Sequence, residues 1–342
     1  MKQTRIKNLL LSFILLLLIG FSSCRNDDDS ITSIPERDRT EQQIVDRDSL
    51  QGYLQTHYYN SADFAASMNP TIDDLLITEL ESGEMLPDGH TLLIDAIETH
   101  TTVFLEVDYE YYILRLNQGG GDTSPKFSDQ IRVNYKGYLQ DGSLFDSSAN
   151  SVVFDMSILV PGWSRAVPQF NNAENFVLNG DGTVTFNNAG VGVMFLPSGL
   201  GYYSGGAASI LPYSNLLFAF DLFQSQVNDH DNDGIPSYVE DLNADIDLSN
   251  DDTDGNSLAN FVDPDDDGDG VLTRNELESI EYIVDTNMGE EEPILADGEY
   301  EIDRSEEDGI ITINTVKTVD SNSDGTPDYL DDTIDIDYSE ES

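Results

Sequence analysis

Apolar and polar residues follow two different patterns between residues 131 and 222. In IRVNYKGYLQDGSLFDSS, residues 131–148, they interchange with a period of two on either side of Asp141-Gly142. Because successive side chains of a strand point to opposite faces, this pattern predicts a hairpin of two strands. The stretch LLFAFDL, residues 216–222, is almost entirely apolar. It therefore predicts a strand that is buried on both faces.

The rest of the N-terminal two thirds has weaker patterns. Apolar residues alternate from 102 to 117, which predicts one extended strand or a bent pair, with a globular domain beginning near Val103. Within residues 49–100, helical spacing of Leu50, Tyr53 and Leu54 after Asp48 and Ser49 predicts a short helix. Residues 24–48 are charged without apolar periodicity, so they predict a flexible acidic tether. The Asn- and Gly-rich residues 171–188 predict an inserted hairpin.

Charge then limits the classes of partner. The 342 residues suffice for two domains with appendages, and they include 66 acidic and 15 basic side chains, for a formal net charge of −51. Binding to nucleic acid phosphates requires a basic surface, so the composition excludes nucleic acid as a partner. A divalent cation fits the charge.

The first 24 residues have the pattern of an export signal. Three basic residues precede an apolar run, residues 9–21, that is shorter than a membrane span. Residues 1–23 are therefore predicted to be a signal peptide. Cys24 is the only cysteine, which excludes an intrachain disulfide, and its position after Ser22-Ser23 resembles a bacterial lipoprotein site. The resemblance implies a lipid anchor in the cell envelope, in the outer membrane on its periplasmic or surface face; the alternative is an ordinary secreted protein with an incidental cysteine.

Four ordered motifs resemble the FKBP-type peptidyl-prolyl isomerases. They are IRVNYKGYLQDGSLFDSS (131–148), ILVPGW (158–163), FLPSGLGYY (195–203) and SILPYSNLLFAFDL (209–222). The resemblance covers about a third of the chain. It implies an α+β fold in which an FKBP-like twisted antiparallel β-sheet wraps on a short helix. It also implies isomerisation of proline-containing polypeptide clients without a catalytic cofactor.

The resemblance also assigns roles to individual residues. Trp163 would lie under the proline ring, and the walls would be Tyr135, Phe145, Val160 and Phe218. The Val160 backbone N–H and the Tyr202 hydroxyl would bind substrate carbonyls, and Asp146 would accept a hydrogen bond at the edge. The rim would comprise Val152 or Phe154, Leu159 and Ile210. Three departures could narrow this cleft: Val152 where an aromatic residue is common, Tyr203 where a glycine often follows the pocket tyrosine, and the insertion.

Four twelve-residue stretches after residue 227 share a second motif. They are DHDNDGIPSYVE (229–240), DTDGNSLANFVD (252–263), DDDGDGVLTRNE (265–276) and DSNSDGTPDYLD (320–331), called here the first to fourth loops. Oxygen-bearing side chains alternate, the sixth residue is usually glycine, and an acid stands twelfth, which is the ligand spacing of calcium loops. The candidate ligands are Asp229, Asp231, Asp233 and Glu240; Asp252, Asp254 and Asp263; Asp265, Asp267, Asp269 and Glu276; and Asp320, Asn322, Asp324 and Asp331.

The loops are not paired EF-hands, because Pro236 and Pro327 stand at the eighth position, where pairing requires a backbone N–H. They are similar to thrombospondin type 3 repeats, which implies a calcium-stabilised stalk with little hydrophobic core. Asn256 and Ser257 at the fifth and sixth positions predict that the second loop is the weakest. The alternative is an acidic linker that binds no metal.

The sequence thus predicts a signal peptide (1–23), a tether (24–48), a small, partly helical N-terminal segment (49–100), an FKBP-like isomerase domain (101–226) and a loop-rich, calcium-binding acidic extension (227–342). The leading hypothesis is a lipid-anchored prolyl isomerase that assists the folding of exported proteins. The alternative is a non-catalytic envelope scaffold with a calcium-stabilised stalk. A hydrolase is disfavoured, because the recognisable domain has no nucleophile with a matching base.

Overall fold

The computed structural model describes residues 36–67 and 69–341. The predicted signal peptide, the lipidation site Cys24 and tether residues 24–35 lie outside the described residues. Within the described part of the chain, no helix has both the length and the apolar character needed to cross a membrane.

The described residues form three α-helices, fifteen β-strands and several short 3-10 turns. The helices are α1 (Arg39–Thr56), α2 (Ser61–Ala66) and α3 (Gly162–Ala166). The strands are β1 (His57–Tyr59), β2 (Ile77–Glu79), β3 (Thr91–Leu92), β4 (Ile97–Phe104), β5 (Val107–Asn117), β6 (Gln130–Leu139), β7 (Leu144–Ser147), β8 (Val152–Asp155), β9 (Asn175–Leu178), β10 (Val184–Asn187), β11 (Gly190–Leu196), β12 (Leu216–Gln226), β13 (Leu277–Asp285), β14 (Glu299–Glu307) and β15 (Ile310–Thr318).

The main sheet is antiparallel in the order β4-β5-β11-β12-β6-β7, and β8 also pairs with β6. The predicted hairpin of residues 131–148 is confirmed as β6 and β7, with Gly142 in the left-handed conformation of the turn at φ 81°. The predicted buried strand is confirmed as β12, in which Leu216–Phe223 are all buried between β11 and β6.

The main sheet has apolar cores on both faces. On one face, Trp163 of α3 packs with Phe218 and Phe220 of β12. On the other face, Leu50 and Leu54 of α1 pack with Leu217 and Ala219 of β12. Because side chains alternate along β12, this one strand contributes to both cores. The N-terminal segment, including the small sheet β2-β1-β3, therefore covers the second face.

The tether prediction is wrong for residues 39–48, which belong to α1. The helix begins after Asp38, whose carboxylate accepts a hydrogen bond from the Glu41 N–H, rather than after Asp48. The first half of α1 packs through the buried polar residues Gln42, Gln43 and Asp46. Asp46 accepts hydrogen bonds from the Ser198 N–H and hydroxyl, at 2.9 and 2.6 Å. A contact surface made of polar side chains leaves no apolar periodicity to detect.

For residues 102–117 the prediction left open one extended strand or a bent pair, and the structure contains the pair, as the β4–β5 hairpin. The sheet begins at Ile97 rather than near Val103. The turn residues Leu105 and Glu106 both have positive φ, 48° and 62°. Asn or Gly usually occupies positions with this conformation. Because neither residue stands at positions 105 and 106, the sequence gives no turn signal there.

The inserted hairpin predicted for residues 171–188 is present as β9 and β10. Its Phe186 ring stacks on Phe223 near the end of β12, with centroids 4.4 Å apart. The insertion therefore packs at the β12 end that lies beyond Phe218.

The acidic extension, predicted to be loop-rich, also contains an antiparallel sheet of β13, β15 and β14. Its small core contains Ile235, Leu277, Val316 and Tyr329. The sequence of β14, EYEIDRSEE, is charged because most of its residues are exposed, which concealed the strand.

A buried carboxylate on β12 predicts a pH effect on stability. Asp221 is 1% exposed, and its Oδ1 accepts a 2.9 Å hydrogen bond from the Ile72 N–H. Burial raises the pKa of Asp221 to about 7. The folded protein therefore binds this proton more tightly than the unfolded chain, and stability should fall as pH rises from about 4 to about 7.

The Asp221→Asn variant keeps an oxygen acceptor for Ile72 and removes the titration. Urea unfolding measures the free energy of unfolding of both proteins at pH 5 and pH 8. The difference, variant minus unsubstituted protein, should be larger at pH 8. The exposed-site variant Asp95→Asn should show no such trend. An identical pH dependence for the Asp221→Asn variant and the unsubstituted protein would contradict this assignment.

Candidate functional site

Trp163 lies at the start of α3, against the main sheet. Its side chain is 2% exposed. The preceding Gly162 permits this packing, because a Cβ there would lie 2.2 Å from the Leu196 Cδ1 atom on β11. The Val-Pro-Gly turn thus allows close contact between α3 and the sheet, with the indole between them.

Four rings surround the indole. The centroids of Tyr135, Phe154, Phe218 and Phe220 lie 6.0, 5.9, 5.3 and 6.0 Å from that of Trp163. The Phe145 ring meets Phe218 edge-on at 5.4 Å. Apart from Phe220, all these residues were predicted site residues. The signal that could have identified Phe220 is its position two residues after Phe218, which places it on the same face of β12.

The remaining predicted residues extend this group. Val152, Leu159 and Val160 are half-buried and pack against the same core as Ile210, which is 7% exposed. The structure therefore brings the predicted apolar residues into one cluster and includes both candidates for the rim, Val152 and Phe154.

Polar groups line one edge of the ring cluster. The Tyr135 hydroxyl donates a 2.7 Å hydrogen bond to Oδ2 of Asp146, whose side chain is exposed. Burial, this hydrogen bond and the nearby Tyr202 raise the pKa of Tyr135, so its hydroxyl stays protonated at neutral pH. Tyr202 is 41% exposed. The cluster thus combines a buried aromatic floor with an accessible edge that holds a carboxylate and a hydroxyl.

Tyr203 and the inserted hairpin were predicted to narrow the cleft, but their described contacts lie outside the ring cluster. Tyr203, at φ 45°, donates from its hydroxyl to the Arg37 carbonyl, and the Arg39 guanidinium lies 3.9 Å from its ring centroid. The inserted hairpin packs on Phe223. These contacts do not involve the rings around Trp163.

The four predicted loops share one backbone conformation. At the fourth position, φ is 63°, 75°, 72° and 60° in Asn232, Gly255, Gly268 and Ser323. At the sixth position, φ is 102°, 80°, 100° and 101° in Gly234, Ser257, Gly270 and Gly325. The sequence template therefore corresponds to a repeated turn, and the left-handed sixth position explains its glycines.

The third loop gathers carboxylates around a common point. One oxygen from each of Asp265, Asp267 and Asp269 lies within 4.8 Å of the others. Glu276, at the twelfth position, is 1% exposed, and no described group donates a hydrogen bond to either of its oxygens. Burial and the neighbouring carboxylates raise the pKa of Glu276 to about 9. Carboxylates that are buried without donors form a favourable arrangement when a cation lies between them.

The second and fourth loops differ, because an asparagine amide lies between the carboxylates. The Asn256 amide nitrogen donates to Asp254 at 2.9 Å and to Asp263 at 2.6 Å. In the fourth loop, Asn322 donates to Asp324 at 3.3 Å and Asp331 at 2.9 Å. The first and third loops are thus the better candidates for a cation, and the fourth joins the second as a weaker one.

The structure also contains a fifth loop of this kind, residues 241–252, that the sequence analysis missed. Asp241 accepts hydrogen bonds from the N–H groups of Asp245 and Ile246, at 3.0 and 2.9 Å. Ala244 and Ile246, at the fourth and sixth positions, have φ of 59° and 65°. Isoleucine rarely adopts this conformation, which concealed the loop. The detectable signal was the D-x-N-x-D spacing directly after Glu240.

Two parts of the chain are similar to known families. Residues 121–223 match the family described as FKBP-type peptidyl-prolyl cis-trans isomerase, and residues 230–293 match one described as BamM C-terminal. The FKBP-type 22 kDa peptidyl-prolyl cis-trans isomerase of Escherichia coli K12 is 32% identical over 113 residues, covering 32% of this chain and 47% of that protein. FkpA of Aeromonas hydrophila is 29% identical over 120 residues, covering 34% and 38%.

Further similarities cover the same part of the chain. The macrophage infectivity potentiator of Trypanosoma cruzi is 30% identical over 112 residues, covering 32% of this chain and 49% of that protein. A crystal structure of FkpA from Escherichia coli has 27% identity and a TM-score of 0.28, covering 34% and 48%. The chain thus spans about half the length, or less, of these curated relatives. The family match covers the part of the chain in which the sequence motifs resemble FKBP-type isomerases.

Proposed function

We propose that the ring cluster around Trp163 catalyses cis/trans isomerisation of X-Pro bonds in polypeptide clients. The observation that carries this proposal is the convergence of Tyr135, Phe154 and Phe218 on one buried indole beside an exposed carboxylate, with Phe145 packed on Phe218. The match of residues 121–223 to the isomerase family supports it.

The reaction requires neither a nucleophile nor a cofactor. Its barrier of about 18–20 kcal/mol arises from the loss of amide resonance as the C–N bond rotates. A twisted amide has less charge on its oxygen than a planar one, so a desolvated aromatic surface stabilises the twisted form more. The proline ring would pack on Trp163, while the Tyr202 hydroxyl and the Val160 N–H bind the flanking carbonyls. Asp146 holds the Tyr135 hydroxyl and accepts from the substrate at the edge.

Two substitutions test this assignment in the full-length chain with a short X-Pro peptide. Trp163→Ala should lower the isomerisation rate at least about tenfold, which corresponds to about 1.4 kcal/mol of lost transition-state binding. Tyr202→Phe removes only a hydroxyl and should lower the rate by less. Tyr213→Phe removes a hydroxyl outside the ring cluster and should leave the rate unchanged.

Circular dichroism should establish that each variant is folded. If Trp163→Ala does not fold, the Trp163→Phe variant replaces it in the assay. If the folded, unsubstituted protein isomerises the peptide no faster than the uncatalysed reaction, the isomerase proposal is overturned. That result would favour the alternative function, a non-catalytic scaffold of the cell envelope.

We propose further that the protein acts on exported clients from the cell envelope, held to the outer membrane by lipid on Cys24. The export-type sequence of residues 1–23 supports this location. Mass spectrometry of the N-terminus of the native protein should find a diacylated cysteine as the first residue. An unmodified Cys24 within a longer chain would contradict the anchor.

We propose calcium as the structural ion of the acidic extension, because buried carboxylates without donors occur in the first and third loops. Oxygen ligands at flexible loop positions favour calcium over magnesium, which requires near-octahedral geometry. Each bound calcium should stabilise the folded extension by about 2.7 kcal/mol at a concentration one hundred times its Kd.

Removal of calcium tests this proposal directly. Chelation from the full-length chain should lower the unfolding temperature and increase the radius of gyration measured by X-ray scattering. Added calcium should reverse both changes, whereas the same concentration of magnesium should reverse them only weakly. Unchanged scattering and unfolding temperature after chelation would contradict a structural role for calcium.

A further inference from the structure

Asp266, at the second position of the third loop, behaves differently from its equivalents in the other predicted loops. In each of the four predicted loops the N–H of the second residue donates to the side chain of the ninth, at 3.2, 2.9, 3.2 and 2.8 Å. In the other three loops the side chain at the second position also bonds to that ninth residue; these pairs are His230 with Ser237, Thr253 with Asn260, and Ser321 with Asp328. The Asp266 carboxylate does not bond to Thr273, and neither of its oxygens has a donor among the described residues.

The Asp266 carboxylate instead lies among the carboxylates of the first loop. One oxygen from each of Asp231, Asp233, Glu240 and Asp266 lies within 4.8 Å of the other three. Glu240 and Asp266 are each 1% exposed, and Asp233 is 3% exposed. Across these four side chains, six carboxylate oxygens lack a hydrogen-bond donor in the described structure: Oδ2 of Asp231, Oδ2 of Asp233, both of Glu240 and both of Asp266.

Such a group of charges is unfavourable by itself. Burying one unpaired carboxylate costs several kcal/mol, and four close together also repel one another. Burial and the neighbouring carboxylates raise the pKa of Glu240 to about 10 and that of Asp266 to about 9. A positive charge between these carboxylates would offset their repulsion, and no lysine or arginine of the described residues forms an ion pair with them.

We propose that Asp266 completes the cation site of the first loop, so that one divalent cation, held by Asp231, Asp233, Glu240 and Asp266, joins the first loop to the third. The site takes a hard cation of the calcium class, because all four side chains supply carboxylate oxygens. This inference rests on the proposal that the extension binds calcium, and it adds a ligand shared between loops.

The shared site also reaches the isomerase domain. His230, between two first-loop ligand positions, places Nε2 2.9 Å from Oδ2 of Asp155. Asp155 caps the turn Met156–Ile158 by accepting from the Ser157 N–H, and this turn leads directly into the cleft residues Leu159 and Val160. A cation that fixes the first loop therefore fixes the contact between the extension and a segment next to the cleft.

Calcium stoichiometry in the full-length chain distinguishes a shared site from two separate ones. Isothermal titration calorimetry with calcium alone would compare Asp266→Asn, Glu240→Gln and Glu276→Gln. Asp266→Asn and Glu240→Gln should each remove one bound equivalent, and combining them should remove no more than that same equivalent. Asp266→Asn combined with Glu276→Gln should remove two, because Glu276 belongs to the third-loop site.

The controls separate misfolding from lost ligation. Asp266→Ser reproduces the residue of the fourth loop at this position and should fold, yet lose the same equivalent. The exposed Asp303→Asn variant should keep every equivalent. The inference is overturned if the Asp266→Asn variant binds as many equivalents of calcium as the unsubstituted protein. It is also overturned if the double variant with Glu276→Gln loses only one equivalent. An unsubstituted protein that binds no calcium would overturn the calcium proposal itself, with the isomerase assay unaffected.

Discussion

The structure depends on burying both faces of one antiparallel sheet. Alternating side chains of β12 make this possible: Phe218 and Phe220 pack with Trp163 on one face, and Leu217 and Ala219 pack with α1 on the other. Each fully buried leucine or phenylalanine contributes about 1.5–3 kcal/mol, so the two cores together dominate the stability of this part. The candidate cleft lies at the rim of one core, and α1 covers the opposite face of the same sheet.

The acidic extension follows a different physical rule. Its apolar core is small, and its buried groups include several carboxylates without donors. A region of this kind gains little from the hydrophobic effect and is opposed by charge repulsion, so the proposed cations would be the main source of its order. The two parts thus have separate origins of stability. Their contact through His230 and Asp155 links them at a segment that leads into the cleft.

The sequence predicted the parts of the fold that have strong local signals. Strict alternation around Asp141-Gly142 identified β6 and β7, and continuous apolar character identified β12. The start of α1 was missed because it packs through Gln42, Gln43 and Asp46, and the β4–β5 turn because Leu105 and Glu106 adopt a conformation typical of other residues. Aromatic site residues were predictable from ordered motifs. Asp266 was not, because its partners come from a loop about 30 residues away, which no local spacing encodes.

The central claim is that a proline ring binds against Trp163, and the indole N–H resonance reports on that contact directly. Trp163 is the only tryptophan, so a two-dimensional ¹⁵N–¹H spectrum of the full-length protein contains one assignable indole signal. Titration with a short X-Pro peptide should shift this signal in a saturable manner, and the same peptide with alanine in place of proline should not. An indole signal that stays fixed while the peptide shifts resonances elsewhere would contradict the assignment of the cleft.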